Sequence, residues 1–221
     1  MMYYLAIQNN YNEVQFSLMS GTTAIISDSL SKLHASKELV AHLNTLLISH
    51  NLTLSDLSFI AANCGPGPFT TLRVVITTVN GIAYASKLPL IGINALEAFA
   101  HEWNDDSYAI TAILFNAFGN DLYALVTKGT EHLLYGVYSI QDLLHELDTL
   151  PGTIRFLGNG TDLHAQIIRE KMGDKAYIPE SNPEYSSLAS IARMGLEKWK
   201  SEKQGASELM PLYLKQHPAQ R

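Results

Sequence analysis

The sequence predicts an α/β protein made of two similar halves, and three observations support this class. Short β-like runs alternate with longer helix-like runs along the chain instead of falling into separate blocks. The order of three strands, helix, strand and helix occurs twice, once on each side of a polar turn at 103–107. The chain has 221 residues, 47% hydrophobic and 16% charged, which is typical of a globular protein and excludes a disordered or low-complexity function.

The first half is assigned to residues 1–103. Short apolar and alternating runs predict its strands, and leucines at helical spacing predict its first helix. A loop rich in glycine and proline at 64–69 separates the next strand from a long helix. The predicted elements are strands 3–8, 13–19 and 22–28, helix 36–50, strand 58–63, helix 70–86, strand 91–93 and helix 95–101.

The second half is assigned to residues 104–221 and repeats the order of the first without a residue-level repeat. Hairpins followed by crossover helices predict a mixed sheet with helices packed on it. The predicted elements are strands 108–115, 122–128 and 133–138, helix 140–147, strand 153–157, helix 162–172, a short strand near Ala176 and helix 184–200.

Charge and cysteine content limit the possible functions. Fifteen basic against 21 acidic side chains give a net charge of −6, so the chain alone is expected to bind nucleic acid poorly. The single cysteine, Cys64, excludes an internal disulfide and a Cys-x-x-Cys zinc site. No basic segment precedes the first apolar run and no stretch approaches the roughly 20 apolar residues of a membrane span, which predicts a soluble cytoplasmic protein without membrane contact.

The most distinctive segment runs from Gly65 to Arg73. Two glycines and two prolines form a tight, restricted loop, and a helix begins directly after it. The amides at the start of that helix could hold an anion, or the loop could serve only as a strand-to-helix corner. The pattern fits neither a phosphate loop, because no lysine follows, nor a dinucleotide fingerprint, which needs a third glycine.

Two helices of the first half are candidates for an interface. Helix 70–86 is apolar or small on all sides between Arg73 and Lys87, which predicts burial on both faces, either inside its own domain or against a partner chain. Helix 36–50 is amphipathic, and its apolar stripe could belong to the core or to the same interface. That stripe consists of Leu39, Val40, Leu43, Leu46 and Leu47.

Catalytic motifs are scarce in this sequence. None of the eight histidines forms a His-x-x-x-His pair, and no Gly-x-Ser-x-Gly elbow occurs. Cys64 lies near a helix start and could be a nucleophile, although a small buried residue ending a strand is the alternative. The segment 158–162 follows a strand and opens a helix, so it could cap that helix or contact a phosphate.

The segment from Gly65 to Arg73 resembles the Gly-Pro-Gly-Ser-Phe-Thr-Gly-Leu-Arg signature of the bacterial TsaB family, also called YeaZ. The similarity continues at 80–83 and 88–92, and 211–215 is similar to the family's closing Pro-x-Tyr-Leu-Arg, so it spans nearly the whole chain. The residues of the signature loop are Gly65, Pro66, Gly67, Phe69, Thr70 and Arg73.

The resemblance implies an actin/Hsp70-like (ASKHA) fold of two RNase H-like βββαβα halves. It also implies a partner subunit without catalytic, cofactor or metal residues of its own. Such a protein would form a heterodimer with a TsaD-like paralogue, joined by a TsaE-like ATPase. The complex transfers threonylcarbamoyl to N6 of the adenosine beside the anticodon of tRNA. ATP and metal would bind to the partner subunits, and tRNA would be contacted only through the complex.

In the assembly that the resemblance implies, the two first-half helices of each paralogue form a helical bundle. This assigns Leu39, Leu43, Leu46, Thr77 and Gly81 to the partner interface. The same helices are expected to form a homodimer when the chain is alone, because an exposed apolar face seldom stays solvated.

The sequence departs from the family pattern at three places. Gln8, Asn9 and Asn10 replace the family's Asp-Thr-Ala after the first strand, and Asn116-Ala117-Phe118 replaces Asp-Ala-Arg. Pro68 and Thr71 replace a serine and a glycine of the signature. The alternative function, an ATP-binding hydrolase or glycoprotease-like peptidase acting on its own, would need an acidic metal-phosphate site or a paired metal motif.

Overall fold

The computed structural model describes residues 2–215 and contains two five-stranded mixed sheets, each with helices packed on it. The strands and helices of the first half follow the predicted order. They are β1 (Tyr3–Asn9), β2 (Glu13–Ser20), β3 (Thr23–Ser31), α1 (Lys32–Ile48), β4 (Leu57–Gly65), α2 (Phe69–Ser86), β5 (Leu90–Asn94) and α3 (Ala95–Glu102). The predicted start of α1 at Ser36 is wrong by one turn, because the helix begins directly where β3 ends.

The second set of elements repeats this order. They are β6 (Ile110–Asn116), β7 (Asp121–Lys128), β8 (Glu131–Ser139), α4 (Ile140–Asp148), β9 (Ile154–Leu157), α5 (Asn159–Met172), β10 (Ala176–Tyr177) and α6 (Leu188–Glu202). The first sheet has the strand order β3-β2-β1-β4-β5 and the second has β10-β9-β6-β7-β8, which is the same arrangement written from the other edge.

In each sheet a hairpin is joined to parallel strands. In the first sheet, β1, β2 and β3 pair antiparallel, whereas β4 pairs parallel with β1 and with β5. The parallel strands need long crossovers, and α1 and α2 supply them. The carboxyl ends of β1 and β4 therefore lie side by side, directly before the start of α2.

The first sheet is buried on both faces. Side chains alternate along β1, so Leu5 and Ile7 pack with α1 and α2 on one face, while Tyr4 and Ala6 pack on the other. The second face is covered by α6 through Ile191, Ala192 and Leu196. Tyr4, Phe59 and Trp199 extend this layer as stacked rings, with centroid distances of 4.4 and 5.1 Å.

By its contacts the chain divides into one unit of residues 1–98 and 187–212 and another of residues 99–186 and 213–221. The prediction from sequence placed a single boundary between residues 103 and 104. The structure differs because α6 completes the first unit instead of the second. The second unit has its own core, built from β6, β7, β9, α4 and α5. None of the helices within residues 2–215 has the length and apolar character needed to cross a membrane.

Candidate partner interface and signature loop

The signature loop leads from the end of β4 into α2. Gly65 has a φ of +99°, and a Cβ there would lie 2.9 Å from Cδ2 of Leu72 and 3.3 Å from the carbonyl oxygen of Leu212. Its N–H donates to Oδ1 of Asn63 at 2.7 Å. Glycine is required at this position because only glycine combines this backbone conformation with so little space.

Carboxamides occupy the end of β1, beside the loop. Nε2 of Gln8 donates to Oε1 of Gln15 at 2.6 Å, and Oδ1 of Asn10 accepts from the N–H of Asn12 and of Glu13 at 2.8 and 2.9 Å. Gln8, Asn9 and Asn10 are all buried. A carboxylate is absent from this strand end, as the sequence shows, so the position is poorly suited to Mg²⁺.

The start of α2 carries a positive side chain and no acidic one in its first turn. The guanidinium carbon of Arg73 lies 3.6 Å from the centroid of the Phe69 ring, one turn earlier. Pro68, the residue before the helix, makes no side-chain cap. The positive end of the helix dipole is therefore not neutralised by a side chain of the helix itself.

Helix α2 has two different faces. Leu72, Val75 and Val79 are buried in the core. Thr77 and Gly81 are exposed, and Tyr84 is 81% exposed. A Cβ at Gly81 would meet nothing within 4 Å. One face of the helix thus belongs to the core, as its apolar residues indicate, and the small-residue face is open in the single chain.

Three of the five residues predicted for the partner interface lie in the core instead. Leu39, Leu43 and Leu46 are 1%, 2% and 6% exposed and pack on the first sheet, so they cannot contact a partner in this conformation. Leucines at i, i+4 and i+7 form the stripe that α1 turns toward the sheet. The exposed large apolar residues of α1 are Leu33, Val40 and Ile48. The sequence pattern places Val40 in the apolar stripe and does not single out Leu33 or Ile48. Leu33, Val40 and Ile48 are seven and eight residues apart, so they lie along one side of the helix next to the leucine stripe.

A cleft of about 810 Å³ lies beside the open face of α2. Its walls include Asn80, Gly81 and Tyr84 of the helix and the segment 205–208. Thr77 and Gly81, the two predicted interface residues that are exposed, both line it. The surface that we call the helix face consists of Leu33, Val40, Ile48, Thr77, Gly81 and Tyr84.

Cys64 does not have the environment of a nucleophile. Burial raises the pKa of its thiol to about 11, so the thiol is protonated at neutral pH. A Cβ built on Gly92 would lie 2.8 Å from Sγ of Cys64, which shows that the thiol packs tightly against β5. Among residues 2–215, no three His, Cys, Asp or Glu side chains come together as a metal site.

The segment 158–162 is a packed corner. Cβ atoms at Gly158 or Gly160 would collide with the carbonyl oxygen of Leu114, so the glycines allow close approach to β6. Nδ2 of Asn182 donates to the carbonyl oxygen of Gly158 at 3.0 Å and to Oδ1 of Asp162 at 2.9 Å. These contacts favour a role in packing the start of α5 over phosphate binding.

Comparison with known proteins agrees with the resemblance in the sequence. The family model described as TsaD, tRNA N6-adenosine threonylcarbamoyltransferase, matches residues 23–217. The tRNA threonylcarbamoyladenosine biosynthesis protein TsaB of Bacillus subtilis is 28% identical over 96% of this chain and 93% of its own length. The tRNA N6-adenosine threonylcarbamoyltransferase of Bifidobacterium longum is also 28% identical, but over 59% of this chain and 34% of its own length.

Solved structures show the same fold. YeaZ from Pseudomonas aeruginosa superimposes with a TM-score of 0.69 at 22% identity, over 97% of this chain and 100% of that one. A putative N-acetylmannosamine kinase from Listeria monocytogenes gives a TM-score of 0.54 at 12% identity, over 92% and 100%. The predicted actin/Hsp70-like fold of two RNase H-like halves is thereby confirmed.

Proposed function

Because the chain belongs to the TsaB (YeaZ) family, within the wider family of the TsaD model, we propose that it functions in threonylcarbamoyladenosine formation on tRNA. Its role there is that of a non-catalytic subunit that binds and activates a TsaD-like paralogue. The partner transfers threonylcarbamoyl to N6 of the adenosine beside the anticodon, and a TsaE-like ATPase joins the pair.

Coverage of the relatives supports a partner role over a transferase role. The chain spans nearly all of the TsaB protein that it matches, but about a third of the transferase. A catalytic subunit would need the part of the transferase that this match leaves uncovered. The net charge of −6 is consistent with leaving the tRNA phosphates to another subunit.

The observation that carries the proposal is the helix face. Helices α1 and α2 pack side by side on the first sheet, yet each presents apolar or small residues outward. Leu33, Val40 and Tyr84 are 78%, 58% and 81% exposed. Large apolar side chains exposed on two adjacent helices favour an interaction site, and Gly81 lets a partner helix approach the backbone of α2 closely.

Metal and nucleotide are proposed to bind to the partner subunits. The described residues offer no three-ligand cluster, and the end of β1 presents carboxamides instead of carboxylates. These residues do not fit a divalent cation, so no step of the reaction is assigned to this chain.

The direct test is threonylcarbamoyladenosine formation, measured by nucleoside mass spectrometry. The reaction contains tRNA, threonylcarbamoyl-adenylate and TsaD-like and TsaE-like proteins, with or without this chain. We expect product formation to require the chain. An unchanged rate of product formation without the chain would contradict the proposal. The chain would then share the fold of the TsaB family but not its function.

A matched pair of variants tests the surface. Val40→Arg on α1 and Leu163→Arg on α5 each place a cation at an apolar side chain of nearly equal exposure, 58% and 59%. We expect Val40→Arg to weaken the complex with the TsaD-like protein in size-exclusion chromatography and Leu163→Arg to leave it intact. Gly81→Arg should act like Val40→Arg, and both should also disrupt the proposed homodimer. If Val40→Arg and Leu163→Arg weaken the complex equally, the helix face is not the partner interface.

A further inference from the structure

We propose that the ring of Tyr177 forms a binding site for an arginine side chain in a basic peptide segment of a partner protein. The site lies in the second unit, at the amino ends of β6 and β9 and beside β10. It consists of Tyr108, Arg155, Tyr177 and the loop 102–108. The helix face belongs to the first unit, so this proposal does not depend on the partner role proposed above.

The first observation is a stack of two tyrosine rings. The centroids of Tyr108 and Tyr177 are 4.9 Å apart, and the rings are inclined by 19°. Tyr177 of β10 pairs in register with Arg155 of β9, so both side chains point to the same face of the second sheet. Their neighbours Ile154 and Ala176 pack in the core of the second unit. The stack therefore lies on the opposite face, at the edge of the sheet that β10 forms.

The second observation is that this stack already contacts one guanidinium group. Cζ of Arg155 lies 5.3 Å from the centroid of the Tyr108 ring. Nη1 of Arg155 donates to the carbonyl oxygen of Trp103 at 2.8 Å and lies 3.9 Å from Oδ2 of Asp105. Nε is buried and has no hydrogen-bond partner among the described residues. The side chain of Arg155 is only 11% exposed, so its charge is not accessible to an anionic ligand.

The third observation is the open face of Tyr177. One face of its ring lies against Tyr108, and within residues 2–215 no further ring or cationic group lies over it. The residue is 41% exposed. The face of an aromatic ring carries partial negative charge and attracts cations, arginine more often than lysine. A second guanidinium can therefore lie over Tyr177 as that of Arg155 lies over Tyr108.

The charge of the surrounding segments favours a cationic ligand. Segments 102–108 and 174–180, together with Arg155, carry five acidic and two basic side chains. The second basic side chain, Lys175, is bound to Asp148, since Nζ donates to the carbonyl oxygen at 2.5 Å and lies 3.3 Å from Oδ1. Asp105 accepts from the N–H of Ser107, which lowers the pKa of its carboxyl, so it is ionised at neutral pH. The five acidic residues are Glu102, Asp105, Asp106, Asp174 and Glu180.

These charges decide between two ligands that stack on tyrosine. A nucleobase also stacks on an aromatic ring, but it brings phosphates toward an acidic surface. An arginine-containing peptide brings charge of the complementary sign. One exposed ring raises the affinity for a cation by only about two- to fivefold. The remaining attraction must come from the carboxylates, which suits a peptide with more than one basic residue.

The experiment is a titration of the full chain with the peptide acetyl-Gly-Arg-Gly-Arg-Gly-amide, followed by ¹H–¹⁵N NMR. Citrulline in place of arginine keeps the shape without the charge, and lysine keeps the charge without the planar group. We expect saturable shifts at the backbone amides of Tyr108 and Tyr177. The affinity should be about two- to fivefold higher for the arginine peptide than for the lysine peptide, and lowest for the citrulline peptide. Equal affinities for the three peptides would overturn the proposal.

A single-stranded oligoadenylate tests the competing ligand. If it saturates the same amides at a lower concentration than the arginine peptide, the stack is a nucleobase platform and the proposal is overturned. We expect no saturable shifts at Tyr177 with the oligoadenylate. None of these titrations contains a TsaD-like protein, so their outcome is independent of the function proposed above.

Variants test the ring and the charge separately. Tyr177→Leu should lower the affinity for the arginine peptide by about two- to fivefold, whereas Tyr177→Phe should preserve it. Tyr135→Leu is the matched control, because Tyr135 lies on β8 of the same sheet and is 37% exposed. Asp106→Asn should also weaken binding, and the difference should shrink at high salt.

Thermal unfolding checks that each variant folds, and the comparison of arginine with citrulline tests the site in the wild-type chain without any substitution. The proposal is overturned if the arginine peptide gives no saturable shifts with the wild-type chain. It is also overturned if Tyr177→Leu binds the peptide as tightly as Tyr135→Leu.

Discussion

The side-chain carboxamide of Asn80 forms two hydrogen bonds with the backbone of Leu209. Nδ2 donates to the carbonyl oxygen and Oδ1 accepts from the N–H, both at 2.9 Å. The pair imitates one step of a β-ladder and fixes the segment after α6 against α2. Leu209 is thereby held in the core. Its Cδ2 would lie 3.1 Å from a Cβ built on Gly92 of β5.

Replacing Asn80 should therefore loosen this segment. We expect Asn80→Ala to lower the free energy of unfolding by about 1–3 kcal/mol, because it leaves the N–H and the carbonyl oxygen of Leu209 unpaired. Urea denaturation measures the change. Asn44→Ala is the control, since Asn44 is exposed on α1 and should change stability by less than about 0.5 kcal/mol. Equal effects would mean that the segment is held by other contacts.

The two sides of α1 should respond differently to truncation. Leu43→Ala removes a side chain that is 2% exposed and should cost about 2–5 kcal/mol of stability through a cavity. Val40→Ala, 58% exposed, should have a small effect on the stability of the single chain but a measurable one on partner binding. Urea denaturation and size-exclusion chromatography with the TsaD-like protein separate the two. A small loss of stability for Leu43→Ala would contradict the burial of the leucine stripe against the sheet.

Two helical glycines should give opposite signs when they are changed to alanine. A Cβ at Gly195 of α6 would collide with that of Ala61 on β4, so Gly195→Ala should destabilise by about 1–3 kcal/mol. At Gly81 a Cβ meets nothing within 4 Å, so Gly81→Ala should stabilise the single chain by up to about 1 kcal/mol. Thermal unfolding of both variants checks the signs, and a loss of stability for Gly81→Ala would contradict its open position.

The thiol of Cys64 should be unreactive at neutral pH. Burial raises its pKa to about 11, whereas an unfolded thiol titrates near about 8.5. Iodoacetamide at pH 8 should alkylate the native chain far more slowly than the urea-unfolded chain. Equal rates would show that Cys64 is accessible and ionised.

The same shift makes stability dependent on pH. Between the two pKa values the unfolded chain binds fewer protons than the native one, so the free energy of unfolding decreases as pH rises through this window. Below about pH 8.5 the contribution is fully present. Cys64→Ala should reduce the slope between about pH 8.5 and 11, and an unchanged slope would assign the effect to other groups, such as Tyr4, whose pKa burial raises to about 12.

The order of elements could be predicted from the sequence because it depends on local patterns. Leucine spacing identifies α1, and the glycine and proline residues at 65–68 identify the corner before α2. For α2 the sequence predicts burial on both faces, and in the single chain the face with Thr77 and Gly81 is exposed. The sequence left open whether the apolar stripe of α1 faces the sheet or a partner, because apolar side chains suit a core and an interface equally well.

Contacts between distant segments were beyond sequence reasoning. The helix α6 has an ordinary amphipathic pattern, and nothing local indicates that it packs on the first sheet and not the second. The stack of Tyr108 on Tyr177 depends on the order of β6, β9 and β10 in the second sheet. Such features follow from topology, which a periodic pattern does not encode.

The placement of α6 has a consequence for how the protein is made. During translation, residues 1–98 leave the ribosome well before residues 187–212. The face of the first sheet that carries Tyr4 and Phe59 therefore lacks the cover of α6 while about half of the polypeptide is synthesised. The first unit therefore cannot finish folding until α6 has left the ribosome. Nascent chains that stop before α6 would expose this aromatic layer and should be clients of chaperones.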